Sequence, residues 1–223
     1  MNIDPFAIKS YSKRHPVRIA YTVLARAMDV MCRTLFPILR IPKTPASMLP
    51  YPPYEATDTA VTPPQMSALI QALITLPDSV AGVVVEIGSF RGVTTREFGQ
   101  HTSRMVYAVD PFQGYGGARS DFEQFNANVA GLKNVNHLAK TSGEAAKSLT
   151  RKVAFVFVDA VHDYVNTTFD ANVWSHRLVR GGLLAMHDVD DRRFPGTHFA
   201  AWRMTRKLDL VCHISGLVIL RKS

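Results

Sequence analysis

The sequence predicts an α/β fold: a doubly wound, mostly parallel seven-stranded sheet of Rossmann-like type, with a C-terminal antiparallel hairpin and an N-terminal helical extension. Three observations support it. From residue 83 onward, short valine-rich segments alternate with segments of helical periodicity, as in βαβ units. Acidic side chains stand at the ends of these buried segments, where ligands bind in open α/β sheets. The last two segments are joined by Ser215-Gly216, a hairpin turn.

The length and composition of the chain indicate a globular protein with one domain and an extension. Its 223 residues suit an extension over residues 1–61 and a domain over residues 62–223. Only Cys32 and Cys212 are present, too few for a disulfide framework, so we expect a cytoplasmic chain with reduced thiols. No apolar run is long enough to span a bilayer.

The basic charge is concentrated in the extension. Residues 1–43 carry eight Lys and Arg against two Asp, which is +6 of the formal net charge of +8. Because the remainder is nearly balanced, we expect no nucleic-acid partner. Residues 16–40 repeat apolar positions at helical spacing. Arg26, Asp29 and Arg33 interrupt the apolar run, which excludes a secretory signal.

Two interpretations of this helix stay open. It packs on the domain or on the second copy in a homodimer, as most amphipathic helices do, or it contacts the inner membrane surface peripherally. Residues 37–64 hold eight of the thirteen prolines and are predicted to form an extended arm. Within the arm, Tyr51–Tyr54 resembles an aromatic-proline methyltransferase motif at the wrong place in the chain. A helix follows from Thr62 to near Pro77.

The segment Val83–Thr95 predicts the first strand, a tight turn and the start of a helix in direct succession. Gly88 and Gly92 allow close approach of a ligand to the backbone, so this is predicted to be a cofactor loop. The dinucleotide pattern G-x-G-x-x-G is absent, and Glu86 at the strand end would repel a pyrophosphate. S-adenosylmethionine has no phosphate and carries an ammonium and a sulfonium, which a carboxylate attracts. The alternative is that Glu86 only caps or pairs near the helix start.

The second strand, Met105–Val109, ends in Asp110, twenty-four residues past Glu86. A carboxylate there is placed to accept both ribose hydroxyls, although Asp also starts turns. The glycine-rich loop 113–120 is a candidate lid.

A helix over Asp121–Val129 and a third strand over Asn136–Lys140 come next. Ser142 follows this strand end and is a candidate contact for the adenine edge.

Strands four and five present carboxylates to one crevice. Val153–Val158 ends at Asp159, and Leu183–Met186 ends at His187-Asp188. Paired carboxylates share either a proton or a cation. Oxygen-rich ligation favours Mg²⁺ or Mn²⁺, while the histidine leaves a softer metal open.

The remaining elements complete the alternation. Between strands four and five lies a helix that carries His162 and Asp163 near its start, and a turn is expected at Arg180-Gly181-Gly182. After the fifth strand come a helix over Phe194–Lys207 and two antiparallel strands, Asp209–Ile214 and Leu217–Leu220.

Four motifs together resemble the class I S-adenosylmethionine-dependent methyltransferases, from about Thr62 to the C-terminus. They are VEIGSFRGVTT, YAVDPF, FVDAVHDY and LVRGGLLAMHD. More narrowly, they resemble the macrocin O-methyltransferase and cephalosporin hydroxylase-like family, of the methyltransferase domain 24 type. That resemblance implies S-adenosylmethionine as cofactor together with a divalent cation, Mg²⁺ or Mn²⁺.

The resemblance also implies which residues form the site. Cofactor contacts fall on Glu86, Gly88, Ser89, Phe90, Gly92, Asp110, Ser142 and Asp159. Metal ligands fall on Asp159, His187 and Asp188, where His187 departs from the acidic or amide residue usual in the family. His162 occupies the position of a lysine general base in catechol-type relatives, so His162 or Asp163 is implied as the base.

The implied activity is metal-assisted O-methylation of a hydroxyl on a sugar or small natural product, with a small-molecule or glycan acceptor. The alternative of another class is a non-catalytic nucleotide- or S-adenosylmethionine-binding domain that serves as a membrane-associated partner protein.

Overall fold

The computed structural model describes residues 4–45, 58–114 and 117–223. Its sheet has seven strands in the order β3-β2-β1-β4-β5-β7-β6. They are β1 (Val83–Ile87), β2 (Val106–Val109), β3 (Val135–Leu138), β4 (Val153–Val158), β5 (Leu178–Met186), β6 (Asp209–Ile214) and β7 (Leu217–Arg221). The first five are parallel, and β7 runs antiparallel to β5 and β6. The predicted Rossmann-like sheet with its C-terminal antiparallel pair is confirmed.

Helices cover both faces of this sheet. They are α1 (Pro5–Ile8), α2 (Pro16–Leu35), α3 (Pro63–Ile74), α4 (Val93–His101), α5 (Arg119–Val129), α6 (Ser142–Ser148), α7 (Tyr164–Arg177) and α8 (Pro195–Met204). No helix in the described ranges is long and apolar enough to span a membrane.

One predicted turn is wrong. Arg180-Gly181-Gly182 lies inside β5 rather than before it, at a bulge in the pairing with β4. Gly181 has a φ of +80°, and its N–H donates to the carbonyl of Lys222. The glycines therefore bend a continuous strand, and local sequence could not reveal the C-terminal partner.

The core lies on both sides of the central strands. Every residue of β1 and β4 is buried, because parallel strands with helices on both faces have no wet side. Trp174 of α7 anchors one layer, and Phe98 of α4 anchors the other, edge-on to Phe155 at 5.5 Å between ring centroids. These layers fix the strand ends that carry the polar residues.

The extension packs against the domain. In α2, the Tyr21 hydroxyl accepts a hydrogen bond from Asn166 of α7 at 2.9 Å. Beyond α2, the Phe36 ring lies 4.7 Å from that of His198 in α8, and a His198 ring nitrogen bonds the carbonyl of Leu39 at 2.8 Å. Packing of the helix is thus observed for one of its faces.

Two sequence-based proposals involve residues outside the described ranges. The Tyr51–Tyr54 motif lies there entirely, as does the centre of loop 113–120, at positions 115 and 116.

Asp170 is a buried acid beneath the start of α6. Burial raises its pKa to about 7, a hydrogen bond from Ser142 opposes the rise, and the charges of Asp4 and Asp163 add to it. The folded chain thus holds this proton at a pH at which an unfolded chain, with a pKa of about 4, releases it. The resulting stabilisation is complete below about pH 4 and is lost as the pH rises to about 7.

We therefore expect Asp170→Asn to raise the free energy of unfolding at pH 8 by roughly 1–3 kcal/mol. It should also flatten the pH dependence of stability between about pH 4 and 7. Urea unfolding at several pH values measures both. Asp78→Asn, at an exposed turn position, is the matched control and should change neither. An Asp170→Asn variant that is less stable at pH 8 would contradict the assignment.

Candidate active site

The turn between β1 and α4 brings backbone close to the carboxyl ends of the strands. Gly88 has a φ of +89° and Gly92 a φ of +74°, a region that favours glycine. A Cβ on Gly88 would collide with the backbone of Asp159 and Ala160. Strand ends β1 and β4 are therefore in direct contact, as a shared ligand crevice requires.

Glu86 ends in the interior of this crevice. It is 1% exposed, and the Thr95 hydroxyl donates to its carboxylate. Burial raises the pKa of Glu86 well above its ordinary value, the Thr95 hydrogen bond opposes this, and the charges of Asp159 and Asp110 add to the rise. Three carboxylates thus face one region, which is complementary to a cationic ligand.

Asp110 holds the loops on either side of it. Its carboxylate accepts N–H groups from Phe90 at 3.0 Å and Phe112 at 2.8 Å, both of which have positive φ. Burial raises the pKa of Asp110, against the opposing effect of these N–H groups. Each oxygen keeps a lone pair for a ligand hydroxyl.

Ser89 offers an unused polar atom in the same turn. The residue is 5% exposed, and its hydroxyl has no hydrogen-bond partner within the described part of the chain. Since buried polar groups are nearly always paired, this hydroxyl is available to a ligand. The turn therefore fits a cofactor with polar atoms.

Ser142 opens α6, but its hydroxyl faces inward. It accepts from the Trp174 indole at 2.9 Å and donates to Asp170. The N–H of Gly143 donates to Asp4 of the extension at 2.9 Å. The contact of Ser142 with adenine stays a prediction. Because the hydroxyl of Ser142 is already bonded on the inner side, such a contact would be made by other atoms of this segment.

The second carboxylate group lies at the ends of β4 and β5. A His187 ring nitrogen, Nδ1, lies 3.1 Å from Asp159 Oδ1, and the other, Nε2, lies 3.0 Å from Gln65 Oε1. The amide of Gln65 is oriented by two backbone groups, since it accepts from the Thr62 N–H and donates to the Ser215 carbonyl. Its oxygen must therefore accept from His187, which leaves both ring nitrogens of His187 facing acceptors.

This arrangement favours the imidazolium form. Burial alone would lower the pKa of His187, but the charge of Asp159, the hydrogen bond to it and the charge of Asp188 raise it. Burial acts to raise the pKa of Asp159, yet His187 and His162 bring it below its ordinary value. His187 thus orients and neutralises Asp159, and its role as a metal ligand stays a prediction.

Within the described ranges, the group that can converge on a cation is Asp159, His162 and Asp188. One ligand atom from each lies within 4.8 Å of the others, and His162 Nε2 is 3.3 Å from Asp188 Oδ2. Asp188 has a φ of +56°, a strained conformation that concentrates at functional sites. Donor type and spacing fit Mg²⁺ or Mn²⁺.

Asp163 is engaged elsewhere. It caps α7, with one oxygen accepting from the Asn166 N–H at 2.8 Å and the other from the Asn166 side chain at 2.7 Å. The ring of His162, by contrast, borders the crevice and lies 4.6 Å from that of Phe194.

Gln65 is the site residue that sequence reasoning missed. Its position three residues after Thr62 is a capping-box pattern, which identifies the bond to the Thr62 N–H. Nothing local points to His187, 122 residues away.

Comparisons with known proteins agree with this geometry. Residues 85–189 match the family model described as a methyltransferase domain. A sequence search of curated proteins gave no match. Among solved structures, the O-methyltransferase NovP is 16% identical, with 91% of this chain and 99% of NovP covered and a TM-score of 0.59.

Two further structures have different substrates in their descriptions. CalS11, a TDP-rhamnose 3'-O-methyltransferase of calicheamicin biosynthesis, is 15% identical over 96% of this chain and 97% of its own, with a TM-score of 0.56. An rRNA methylase from Streptococcus thermophilus is 16% identical over 75% of this chain and 99% of its own, with a TM-score of 0.54. At such identities the likeness establishes the fold alone.

The sheet has the Rossmann-like fold of the methyltransferases to which it is similar. Within it, residues 85–189 match a methyltransferase domain, so the resemblance drawn from the motifs is confirmed. Methyl transfer with S-adenosylmethionine as donor is therefore supported.

Proposed function

We propose that the chain transfers the methyl group of S-adenosylmethionine to a hydroxyl of a small acceptor. The observation that carries the proposal is the convergence of Asp159, His162 and Asp188 beside the cofactor turn. Carboxylates and a histidine at one strand edge can hold and deprotonate a hydroxyl. The cofactor turn would lie next to them, because the backbones of Gly88 and Asp159 are in contact.

The cofactor contacts follow from the unused groups of the turn. A cationic group beside Glu86 would favour the ionised form of this buried acid, so Glu86 would bind the methionine ammonium. The Ser89 hydroxyl would bond the same end, and Asp110 would accept the ribose hydroxyls. S-adenosylmethionine held by these groups would supply its methyl group beside the ends of β1 and β4, where the chain would hold the acceptor hydroxyl.

His162 is the proposed base. Its Nε2 lies 3.3 Å from Asp188 Oδ2, so the imidazole borders the two carboxylates, and a ring-nitrogen lone pair would take up the hydroxyl proton. Asp188 and Asp159 then stabilise the resulting imidazolium. Asp163 is not assigned this role, because its carboxylate caps α7 through two hydrogen bonds from Asn166.

Asp159 and Asp188 would hold a divalent cation. Mg²⁺ is commonly held by one or two carboxylates and otherwise by water and substrate, so two carboxylates suffice and His162 stays free as base. When bound, the cation would lower the pKa of the acceptor hydroxyl. His187 would support the site by fixing Asp159, as outer-shell residues do.

The acceptor is proposed to carry a negative charge. A cleft of about 390 Å³ is lined by Arg33, Phe36, Pro37, Arg192 and Pro195. Arg192 has no ion pair among the described residues, and Arg33 is paired only with Asp29, through Nε. Arg192 lies two residues before Phe194 and Pro195 directly after it. The ring of Phe194 contacts that of His162. Two guanidinium groups suit a phosphate or carboxylate, such as that of a sugar nucleotide, the substrate class named for CalS11.

Two variants distinguish the residue that binds the cation from the residue that accepts the proton. We expect Asp159→Asn to weaken Mn²⁺ binding, followed by electron paramagnetic resonance, about tenfold or more, since it removes one of two anionic ligands. His162→Ala should bind Mn²⁺ within about threefold of wild type and lower methyl transfer from labelled S-adenosylmethionine to sugar nucleotides by about a hundredfold. Asp209→Asn, far along the sheet edge, is the control.

Two results would refute parts of this scheme. Equal loss of Mn²⁺ binding in His162→Ala and Asp159→Asn would make His162 a ligand rather than the base. Failure of the wild-type protein to bind S-adenosylmethionine in a calorimetric titration would end the methyltransferase proposal.

A further inference from the structure

Helix α2 is apolar on two opposite sides. Tyr21 and Cys32 face the domain, where Tyr21 bonds Asn166 of α7 and Cys32 is fully buried. At 100° per residue, Ile19, Val23 and Val30 lie within about 40° of one another on the far side. These three residues are 51%, 63% and 65% exposed. We call them the α2 stripe.

The α2 stripe differs from the other exposed apolar residues of the described chain. Ile74, Phe122 and Val211 are exposed too, but each lies on a separate element. Single exposed apolar residues are normal on protein surfaces, whereas a contiguous patch marks an interaction site. Ile38, just beyond the helix, is exposed as well.

Cationic side chains accompany the α2 stripe. Arg26 and Arg33 lie on one edge, roughly 40–60° from its centre. Arg26 and Arg40 form no ion pair within the described ranges, and the one acid of the helix, Asp29, pairs with Arg33 on that edge. With eight Lys and Arg against two Asp, residues 1–43 are strongly basic.

We propose that the α2 stripe docks the protein on an anionic lipid surface. The helix would lie in the plane of the interface, with Ile19, Val23 and Val30 among the acyl chains and Arg26 at the headgroups. A second copy of the chain is a poorer occupant, because pairing the stripes would bring two extensions of charge +6 together. The inference does not depend on the proposed methyl transfer.

Vesicle sedimentation with the full chain tests the proposal. We expect at least tenfold tighter binding to vesicles of equal parts phosphatidylglycerol and phosphatidylcholine than to phosphatidylcholine alone, and loss of the difference at high salt. Val23→Glu with Val30→Glu should weaken binding to the anionic vesicles at least tenfold. Arg26→Glu should weaken it without removing apolar area.

The matched control is Ile74→Glu with Val211→Glu, which makes the same two changes at exposed apolar positions outside α2. It should bind within about twofold of wild type. Since all four positions are exposed, thermal unfolding should show folded variants. Wild-type binding that is absent, or unchanged by Val23→Glu with Val30→Glu, would overturn the proposal. So would a dimer, seen by light scattering, that these substitutions dissociate while vesicles bind no protein.

Discussion

Asp110→Ala is expected to weaken S-adenosylmethionine binding by a hundredfold or more. The carboxylate is proposed to accept both ribose hydroxyls, and hydrogen bonds to a charged group contribute about 1.5–3 kcal/mol each. The Asp110 carboxylate also accepts hydrogen bonds from the N–H groups of Phe90 and Phe112, at 3.0 and 2.8 Å. The substitution removes both of these hydrogen bonds. The turn that carries Ser89 would then lose its support. Calorimetric titration of the ligand measures the effect.

Asp209→Ala is the matched control, because it removes an exposed carboxylate at the start of β6, at the far edge of the sheet. It should bind the ligand as wild type does. Asp110→Asn keeps one acceptor oxygen and should fall between the two. Thermal unfolding without ligand separates a loosened fold from a lost contact. Binding by Asp110→Ala within about threefold of wild type would show that this carboxylate does not hold the ribose.

Most of the fold was predictable from local pattern. β2 and β4 are apolar throughout, as is β1 apart from Glu86, because these central strands are covered on both faces. The hairpin turn at Ser215-Gly216 was also predicted from the local sequence. The bulge at Gly181 was not, because a pair of glycines has the same local appearance in a turn and in a strand bent by a distant partner.

The candidate site was predictable by position but not by side-chain partner. Parallel topology brings Glu86, Asp110 and Asp159 to one edge whatever their contacts, so the strand-end rule suffices for them. His187 was a different case. Adjacent to Asp188 in sequence, it resembles a ligand, yet its ring nitrogens are used by Gln65 and Asp159. A partner 122 residues distant leaves no trace in local spacing.

The same limit applies to the extension. Helical periodicity in residues 16–40 predicts one apolar face. It does not indicate that α2 has a second apolar face on the opposite side. One apolar face is satisfied by α7 and α8, as the contact between Phe36 and His198 and the Tyr21 hydrogen bond show. The other is left at the surface, beside Arg26. Packing and interfacial contact, which the sequence presents as alternatives, thus become compatible properties of one helix.

Gln65→Leu is expected to lower the free energy of unfolding by about 2–4 kcal/mol. Gln65 is 4% exposed and joins three elements through the Thr62 N–H, the Ser215 carbonyl and His187 Nε2. Leucine keeps the volume and removes every partner, which leaves buried polar groups unpaired at about 1–3 kcal/mol each, partly relieved by water. Because His187 then loses the contact that fixes its ring, Asp159 should also bind Mn²⁺ about tenfold less tightly.

Gln71→Leu makes the same change on the same helix, at a half-buried position, and should alter stability by no more than about 0.5 kcal/mol. Gln65→Glu offers a second comparison, since it keeps the acceptor for His187 and loses the donor to Ser215. It should retain most of the Mn²⁺ affinity that Gln65→Leu loses. If urea unfolding gave equal stabilities for Gln65→Leu and Gln71→Leu, the hydrogen bonds of Gln65 would contribute nothing net, and His187 would be held by packing alone. Loss of stability with unchanged Mn²⁺ affinity would limit Gln65 to joining α3 to the C-terminal hairpin.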